Sequence, residues 1–423
     1  MKFQESIIKR KVECLVARDM QKCIFFLVYA NGIKKLLCEK GRYMNALLMA
    51  NRNRFAFFPS LIAILCFMCS PTGTLAAPAI TSVEGTVGNG EMITITGTGF
   101  GSTGPTVAIF DDFEKGTNGS VISIASGSAS VNQWSVVSPD YKPTYSTIQA
   151  HSGSKSLLID FSQQGRWTQV HFSGASRVYF SFWLLVPSNS CVPGVNNPDG
   201  PNWKFAMISG NPWPASDHTT VFLSDLPNPA FTTMSVWYDS AGINTGGWGS
   251  SSIIKARWQR YEWYFYGHTS AGIIQGWELN SSTVRTQIQN QLNVYNLHSH
   301  DLWGLVQFPA YARQDSVAKN YYDDIYVATG AGALARVEIG NNSTYSRCTN
   351  LAVITPVSWG SNSITATVRQ GSFTAGSSAY LFIIDAAGVV SPGYPVIIGS
   401  GGNSFAPAPS TISAPTGLKI ITN

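Results

Sequence analysis

Charge is what this sequence has least of: only 12% of its 423 residues are Asp, Glu, Lys or Arg, against about 25% in an ordinary globular domain. With 44% apolar residues beside it, that scarcity excludes a disordered chain, which needs low hydrophobicity, and a coiled coil, which needs charged heptads. Cysteine is scarce as well. Five of the seven precede residue 70, leaving Cys191 and Cys348 in the rest of the chain, so one disulfide is the most that part can close within itself. Two buried thiols are an equal alternative, because a core of this size needs no staple. Zinc-type Cys/His spacing, a Gly-x-Ser-x-Gly elbow, a phosphate-binding Gly loop and a dinucleotide fingerprint are all missing, which removes support for the chemistries built on them.

The formal net charge is +5, yet residues 1–77 carry 12 of the 28 basic and only 4 of the 23 acidic residues. The remainder holds 16 basic and 19 acidic residues, a net −3. A nucleic-acid partner therefore has no electrostatic support. The basic leader reads differently. Arg52 and Arg54 precede an apolar run over 55–68, and small residues at 74–77 come before Pro78. These are the n-region, h-region and exit of a secretory signal. Pro59 and the shortness of the run argue against a membrane span, so residues 1–77 are expected to be a leader and the mature chain to be exported without a span. A signal needs nothing ahead of it, so translation is expected to start at Met44 or Met49.

From residue 78 onward, Gly, Ser, Thr and aromatic residues punctuate short apolar runs, and no long amphipathic helical pattern occurs. This predicts an all-β chain. Runs at 92–96, 178–186, 232–238, 257–266 and 322–328 alternate or are continuously apolar over strand lengths, and Gly/Asn/Pro clusters at 193–201 and 242–249 read as long loops between them. Residues 400–423, rich in Gly, Ser and Pro, read as a linker tail.

Two resemblances organise the strands. Residues 80–83, Ile-Thr-Ser-Val, and 93–101, Ile-Thr-Ile-Thr-Gly-Thr-Gly-Phe-Gly, resemble the opening strands of the IPT/TIG immunoglobulin-like family, whose remaining strands resemble 335–340, 363–368 and 378–384. That implies one Ig-like sandwich from 78–104 plus 333–399, a spacer or docking module, interrupted by an insertion at a loop tip, where both ends of a guest can lie close together. Within the insertion, 105–332, the pieces Ile-Phe-Asp-Asp-Phe-Glu-Lys-Gly at 109–116, His-Ser-Gly-Ser-Lys-Ser-Leu-Leu at 151–158 and Tyr-Tyr-Asp-Asp-Ile-Tyr-Val at 321–327 resemble the concanavalin-A-like jelly roll of lectins, carbohydrate-binding modules and polysaccharide lyases. The fold expected is thus a jelly-roll β-sandwich inserted into a smaller Ig-like β-sandwich. The same resemblance implies a structural calcium held by Asp112 or Glu114 and Asp324 with loop carbonyls near Ser152, since calcium takes six to eight oxygen ligands. The plainer alternative is solvated carboxylates at strand ends.

Ten of the 12 tryptophans lie between Trp167 and Trp303, and indole rings stack on the apolar faces of sugars. Most tryptophans in a sandwich are core. Trp203, Trp213 and Trp248, beside Pro-, Asn- or Gly-rich stretches, and Trp237, by strand parity, are the better surface candidates. Parity also turns Gln169 and His171 away from Val170 and Phe172, Lys204 away from Phe205 and Met207, and Arg260, Glu262 and Tyr264 away from Tyr261, Trp263 and Phe265. If these strands share the concave sheet, one groove gathers them to grip a polysaccharide.

Hydrolysis needs two carboxyl groups set across a glycosidic bond. The Glu-x-Asp-x-x-Glu strand motif of jelly-roll glucanases is absent, and Glu262 and Glu278 stand on separate strands. β-Elimination from a uronate instead needs a cation or amide on the carboxylate and a proton acceptor at C5. Arg166, Gln169, His171, Lys204, Arg260 and Tyr264 include those types, with His171, Lys204, Arg260 and Tyr264 as the catalytic candidates. A glycan-binding protein, a uronate lyase and a non-catalytic adhesion component are the readings that remain, with solvated sheet faces as the ordinary alternative for each residue. Neither a specific glycan nor an oligomeric state follows from composition.

Overall fold

The computed structural model describes residues 77–139, 142–161, 167–190, 203–210, 220–224, 233–240, 243–294, 297, 302–309, 311–312 and 319–401. Among them there is no α-helix. The chain opens with β1 (Ala79–Glu84), β2 (Met92–Thr98), β3 (Thr106–Asp111), β4 (Val136–Val137), β5 (Thr144–Ser146), β6 (Ser156–Asp160), β7 (Thr168–Ala175) and β8 (Arg177–Leu185). It continues through β9 (Trp203–Ser209), β10 (Thr220–Ser224), β11 (Thr233–Ser240), β12 (Ile243–Ser252), β13 (Gln259–Tyr266), β14 (Gly272–Asn280), β15 (Thr283–Val294), β16 (Trp303–Phe308), β17 (Tyr311–Ala312) and β18 (Lys319–Thr329). It closes with β19 (Arg336–Gly340), β20 (Leu351–Trp359), β21 (Ser363–Thr367), β22 (Ser378–Ile384) and β23 (Tyr394–Ile397).

Strands β3 to β18 make two antiparallel sheets. The front sheet runs β12-β11-β10-β9-β16-β7-β4 with β17 beside β9; the back sheet runs β15-β14-β13-β8-β18-β6-β5 with β3 beside β18. Between them lies an aromatic core that includes Phe180, Phe182, Trp263, Phe265, Trp303, Phe308 and Tyr322. Tyr322 bridges the sheets, its hydroxyl donating to the Phe205 carbonyl at 2.9 Å. This is the jelly-roll-type sandwich expected, and its first strand β3 pairs with its last, β18.

The remaining strands run β1-β2-β21-β20-β19-β22-β23. β20 belongs to both halves of this smaller sandwich: Leu351 to Ile354 pair with β19 and Thr355 to Trp359 with β21. Ile93, Ile95, Val337, Ile339, Ile364 and Leu381 share its core, so residues on both sides of the jelly roll fold as one body. Cys348 is a buried, free thiol there, pushed up to about 11 by burial; Cys191 lies outside the described residues.

The back sheet is covered twice. Val178, Phe180 and Phe182 of β8 enter the jelly-roll core, while Tyr179 and Trp183, one parity over, pack with Val353 and Leu351 of the smaller sandwich. That is why β8 reads as a continuously apolar run, buried on both faces.

Candidate functional site

The expected groove strands turn out to be divided between two sheets. β13, which carries Arg260, Glu262 and Tyr264, is in the back sheet; Gln169, His171, Lys204 and Trp237 are in the front sheet. Alternation was read correctly, because Tyr261, Trp263 and Phe265 do face the core. The opposite face meets the smaller sandwich instead of solvent. Tyr264 packs against Tyr179, Ala333 and Val353. Glu262 accepts from Arg285 at 2.9 Å, from the Tyr179 hydroxyl at 3.0 Å and from Arg336 at 3.4 Å. Arg260 pairs with Glu338, which also accepts from Tyr345 and from Arg336. Burial alone would raise the Glu262 pKa, but Arg285, Arg260 and Arg336 together hold it well below the usual carboxylate range. These residues form a buried ionic junction and are withdrawn from the site.

The front sheet keeps the others. On β7, Val170 enters the core, and Gln169 and His171 take the other face. Register carries that face across the sheet: Gln169 pairs with Gln307, Gln307 with Met207, Met207 with Phe222, Phe222 with Trp237 and Trp237 with Gly247. Met207, expected inward, therefore stands in the row of Gln169; Phe205 and Ala206 both enter the core, which shifts the parity of β9. Lys204 is half-buried and pairs by register with Tyr311 and Ser224. Trp203 begins β9, and Trp248 lies in strand β12, not in a loop, paired with the core residue Val236 and so on the other parity from Trp237. Arg166, Trp213 and the 193–201 segment lie outside the described residues.

A chain of side-chain hydrogen bonds starts at His171. Its Nε2 is 2.8 Å from Gln169 Oε1, Gln169 Nε2 donates to Gln307 Oε1 at 2.5 Å, and Gln307 Nε2 donates to the Pro309 carbonyl at 3.1 Å. Partial burial lowers the proton affinity of His171 below that of an ordinary imidazole, favouring the neutral ring. His171 lies on the wall of an open cleft of about 530 Å³, shared with Ser126, Asn132, Gln133 and Ser135. The segment forming the other wall is tied down, since the Ser135 hydroxyl accepts from the His171 amide at 2.8 Å and Asn132 donates to the Val107 carbonyl at 2.9 Å. Gln307 was missed by sequence reasoning. Its one local signal was a lone polar residue in an otherwise apolar run, Trp303 to Phe308.

The expected cation ligands have other partners. Glu114 accepts from the amides of Ser154 and Lys155 at 2.8 and 2.7 Å. Asp324 accepts from the Ser152 hydroxyl at 2.7 Å and contacts His151 at 2.9 Å, and Asp112 accepts from the Ser130 hydroxyl at 2.6 Å. Gly153, at φ +59°, has no room for a Cβ, which would fall 2.6 Å from the Glu114 carboxyl carbon, so glycine is what lets Glu114 close on this turn. N–H and O–H donors surround these carboxylates where a cation would need further oxygen acceptors. Among the described residues no group of three His, Cys, Asp or Glu side chains could hold a metal ion. The donor set as it stands does not fit calcium. Strong chelation is expected to leave the melting temperature unchanged, and a fall of several degrees would place a cation at this corner.

No helix among the described residues is long and apolar enough to cross a membrane. No family model matches the sequence, and no curated protein matches it. Among solved structures, similarity is found to an alginate lyase from a Chlorella virus, at 7% identity and a TM-score of 0.33, covering 47% of this chain and 92% of that one. Lectin II from Ulex europaeus is similar at 9% identity and 0.29, covering 46% and 95%. The catalytic domain of a GH131 β-glucanase from Podospora anserina is similar at 13% identity and 0.29, covering 53% and 96%. Likenesses this slight carry no chemistry over to this chain.

Proposed function

We propose that this chain is an exported protein that recognises a polysaccharide on the outer face of its front sheet, at the cleft beside His171. The observation that supports it is the pairing of His171 with Gln169 on the wall of an open cleft whose other named side chains are hydroxyls and amides. Such groups match the donors and acceptors of sugar hydroxyls, and Trp237 shares the Gln169 row by register. The smaller sandwich serves as a spacer or docking module.

A second reading, uronate β-elimination, is favoured by the lowered proton affinity of His171, since a neutral imidazole can accept a proton. In that reaction the C5 proton passes to His171, its electron pair forms the C4–C5 double bond, and the C4–oxygen bond breaks, the departing oxygen taking a proton from water.

The mature chain should be screened against neutral and uronic polysaccharides for retention and for ultraviolet absorbance from a new double bond. At least one polymer is expected to be retained. His171→Ala should weaken retention roughly tenfold, the value of one or two neutral hydrogen bonds; where absorbance grows, it should cost roughly 10²–10⁴ in rate. Either effect should also fade in the native protein as pH falls and the ring takes up a proton, with a midpoint below the ordinary imidazole range. Absence of both retention and absorbance across the panel overturns both readings and leaves an adhesion component.

A further inference from the structure

Amide orientations and imidazole tautomers are usually assigned from the surrounding hydrogen-bond network, and here that network has a fixed end. The Pro309 carbonyl can only accept. The group of Gln307 that lies 3.1 Å from it must therefore be the NH₂, which turns Gln307 Oε1 toward Gln169. That oxygen can only accept, so the group facing it at 2.5 Å is the Gln169 NH₂, and Gln169 Oε1 is left facing His171 Nε2 at 2.8 Å. An acceptor there requires a proton on Nε2. In a neutral ring Nδ1 then carries the lone pair.

Burial makes the chain hard to reverse. Gln169 and Gln307 are 7% and 2% exposed, so flipping either amide would set donor against donor or acceptor against acceptor with little water to compensate. No hydrogen bond to Nδ1 occurs among the described residues, and the ring lines the open cleft.

We propose that Gln307 is a positioning residue which, through Gln169, holds His171 as the Nε2–H tautomer and so presents Nδ1 as the accepting atom of the cleft. This rests on the reading of the cleft as the ligand site. It deepens that reading by naming the atom that would accept a sugar hydroxyl hydrogen in binding, or the C5 proton in elimination. It also fixes a geometric demand on any ligand, whose hydrogen must approach from the Nδ1 edge of the ring.

The test is ¹⁵N NMR of the full chain with labelled histidine, the His171 signals identified by their loss in His171→Gln. Above the ring's titration, the wild type should show a protonated-type Nε2, an unprotonated-type Nδ1 and a directly observable Nε2–H proton shielded from exchange. In Gln307→Met, which keeps length and volume but cannot bond, Gln169 is free to turn, and the Nε2–H signal should broaden into exchange with water. A proton on Nδ1 in the wild type overturns the proposal without any variant, and so does an unchanged Nε2–H signal in folded Gln307→Met. Neither outcome depends on a glycan, so failure of the polysaccharide screen with the tautomer confirmed would sink the functional reading and leave the relay standing.

Discussion

Glu262→Ala is expected to destabilise the protein by about 3–5 kcal/mol, the cost of leaving buried cations without their partner. Three arginines surround Glu262 and Glu338, and Arg260 and Arg336 are 2% exposed each. Arg285 stacks over Trp277 at 4.5 Å and Arg336 over Tyr179 at 4.4 Å, which holds the guanidinium groups in place through their faces. With Glu262 gone, three positive charges share the single carboxylate of Glu338. The buried Tyr179 hydroxyl also loses its acceptor. The double variant Glu262→Leu/Arg285→Leu should cost less than the sum of its parts, because removing a charge together with its closest partner avoids the orphaned ion. Calorimetry would show it: one transition in the wild type, and in Glu262→Ala an earlier and broader one as the two sandwiches separate. A variant as stable as the wild type would mean that the junction carries no net energy. Acid has the same effect by another route. Glu262 is held ionised in the folded state, so its contribution is complete above the unfolded carboxylate pKa and is lost as pH falls through the lower folded value.

The same residues show what sequence could and could not supply. Alternation along β13 placed Tyr261, Trp263 and Phe265 inward and Arg260, Glu262 and Tyr264 outward, and the core agrees. Periodicity distinguishes the near side of a sheet from the far side. It does not say whether the far side meets water or a second layer, and here it meets β19. A clue did exist: Arg-x-Glu occurs at Arg260 and Glu262 and again at Arg336 and Glu338, two strands whose charges are complementary when crossed. Recognising it required knowing that the sandwich formed by the strands on either side of the jelly roll packs on the back sheet.

His171 and Gln169 were legible for the opposite reason. Their parity depends only on Val170, two neighbours in one strand, and the front sheet has no second sandwich over it among the described residues. Their partner Gln307 depends on the β16 register, which no local pattern encodes. β9 illustrates the cost of a single irregularity. Phe205 and Ala206 both turn inward, so every parity assignment beyond them, Met207 included, is reversed.

Trp134→Ala is expected to cost about 3–5 kcal/mol as a large cavity opens in the core. The indole is fully buried, lies near-parallel to Phe113 with 6.4 Å between ring centres and meets Phe308 edge-on at 6.3 Å. Its chain neighbours Gln133 and Ser135 line the cleft, so the loss should also weaken glycan retention. Trp134→Phe separates packing from hydrogen bonding. The Trp134 Nε1 donates to Asp111 at 2.8 Å, and the Phe113 amide donates to the other carboxyl oxygen at 2.9 Å. Burial raises Asp111 to about 7 despite those two bonds. The folded state thus prefers the neutral acid, and stability falls as pH rises from the unfolded value near 4 toward 7, then levels off. Phe keeps most of the ring but removes a donor that favours the carboxylate, so the folded pKa should climb further and the declining window extend above 7. Denaturant unfolding of Trp134→Phe against wild type should therefore show a penalty that is larger at pH 8.5 than at pH 5. Equal penalties at the two pH values would mean that Asp111 does not titrate in the folded protein over this range, and that the indole contributes to this wall of the cleft through packing alone.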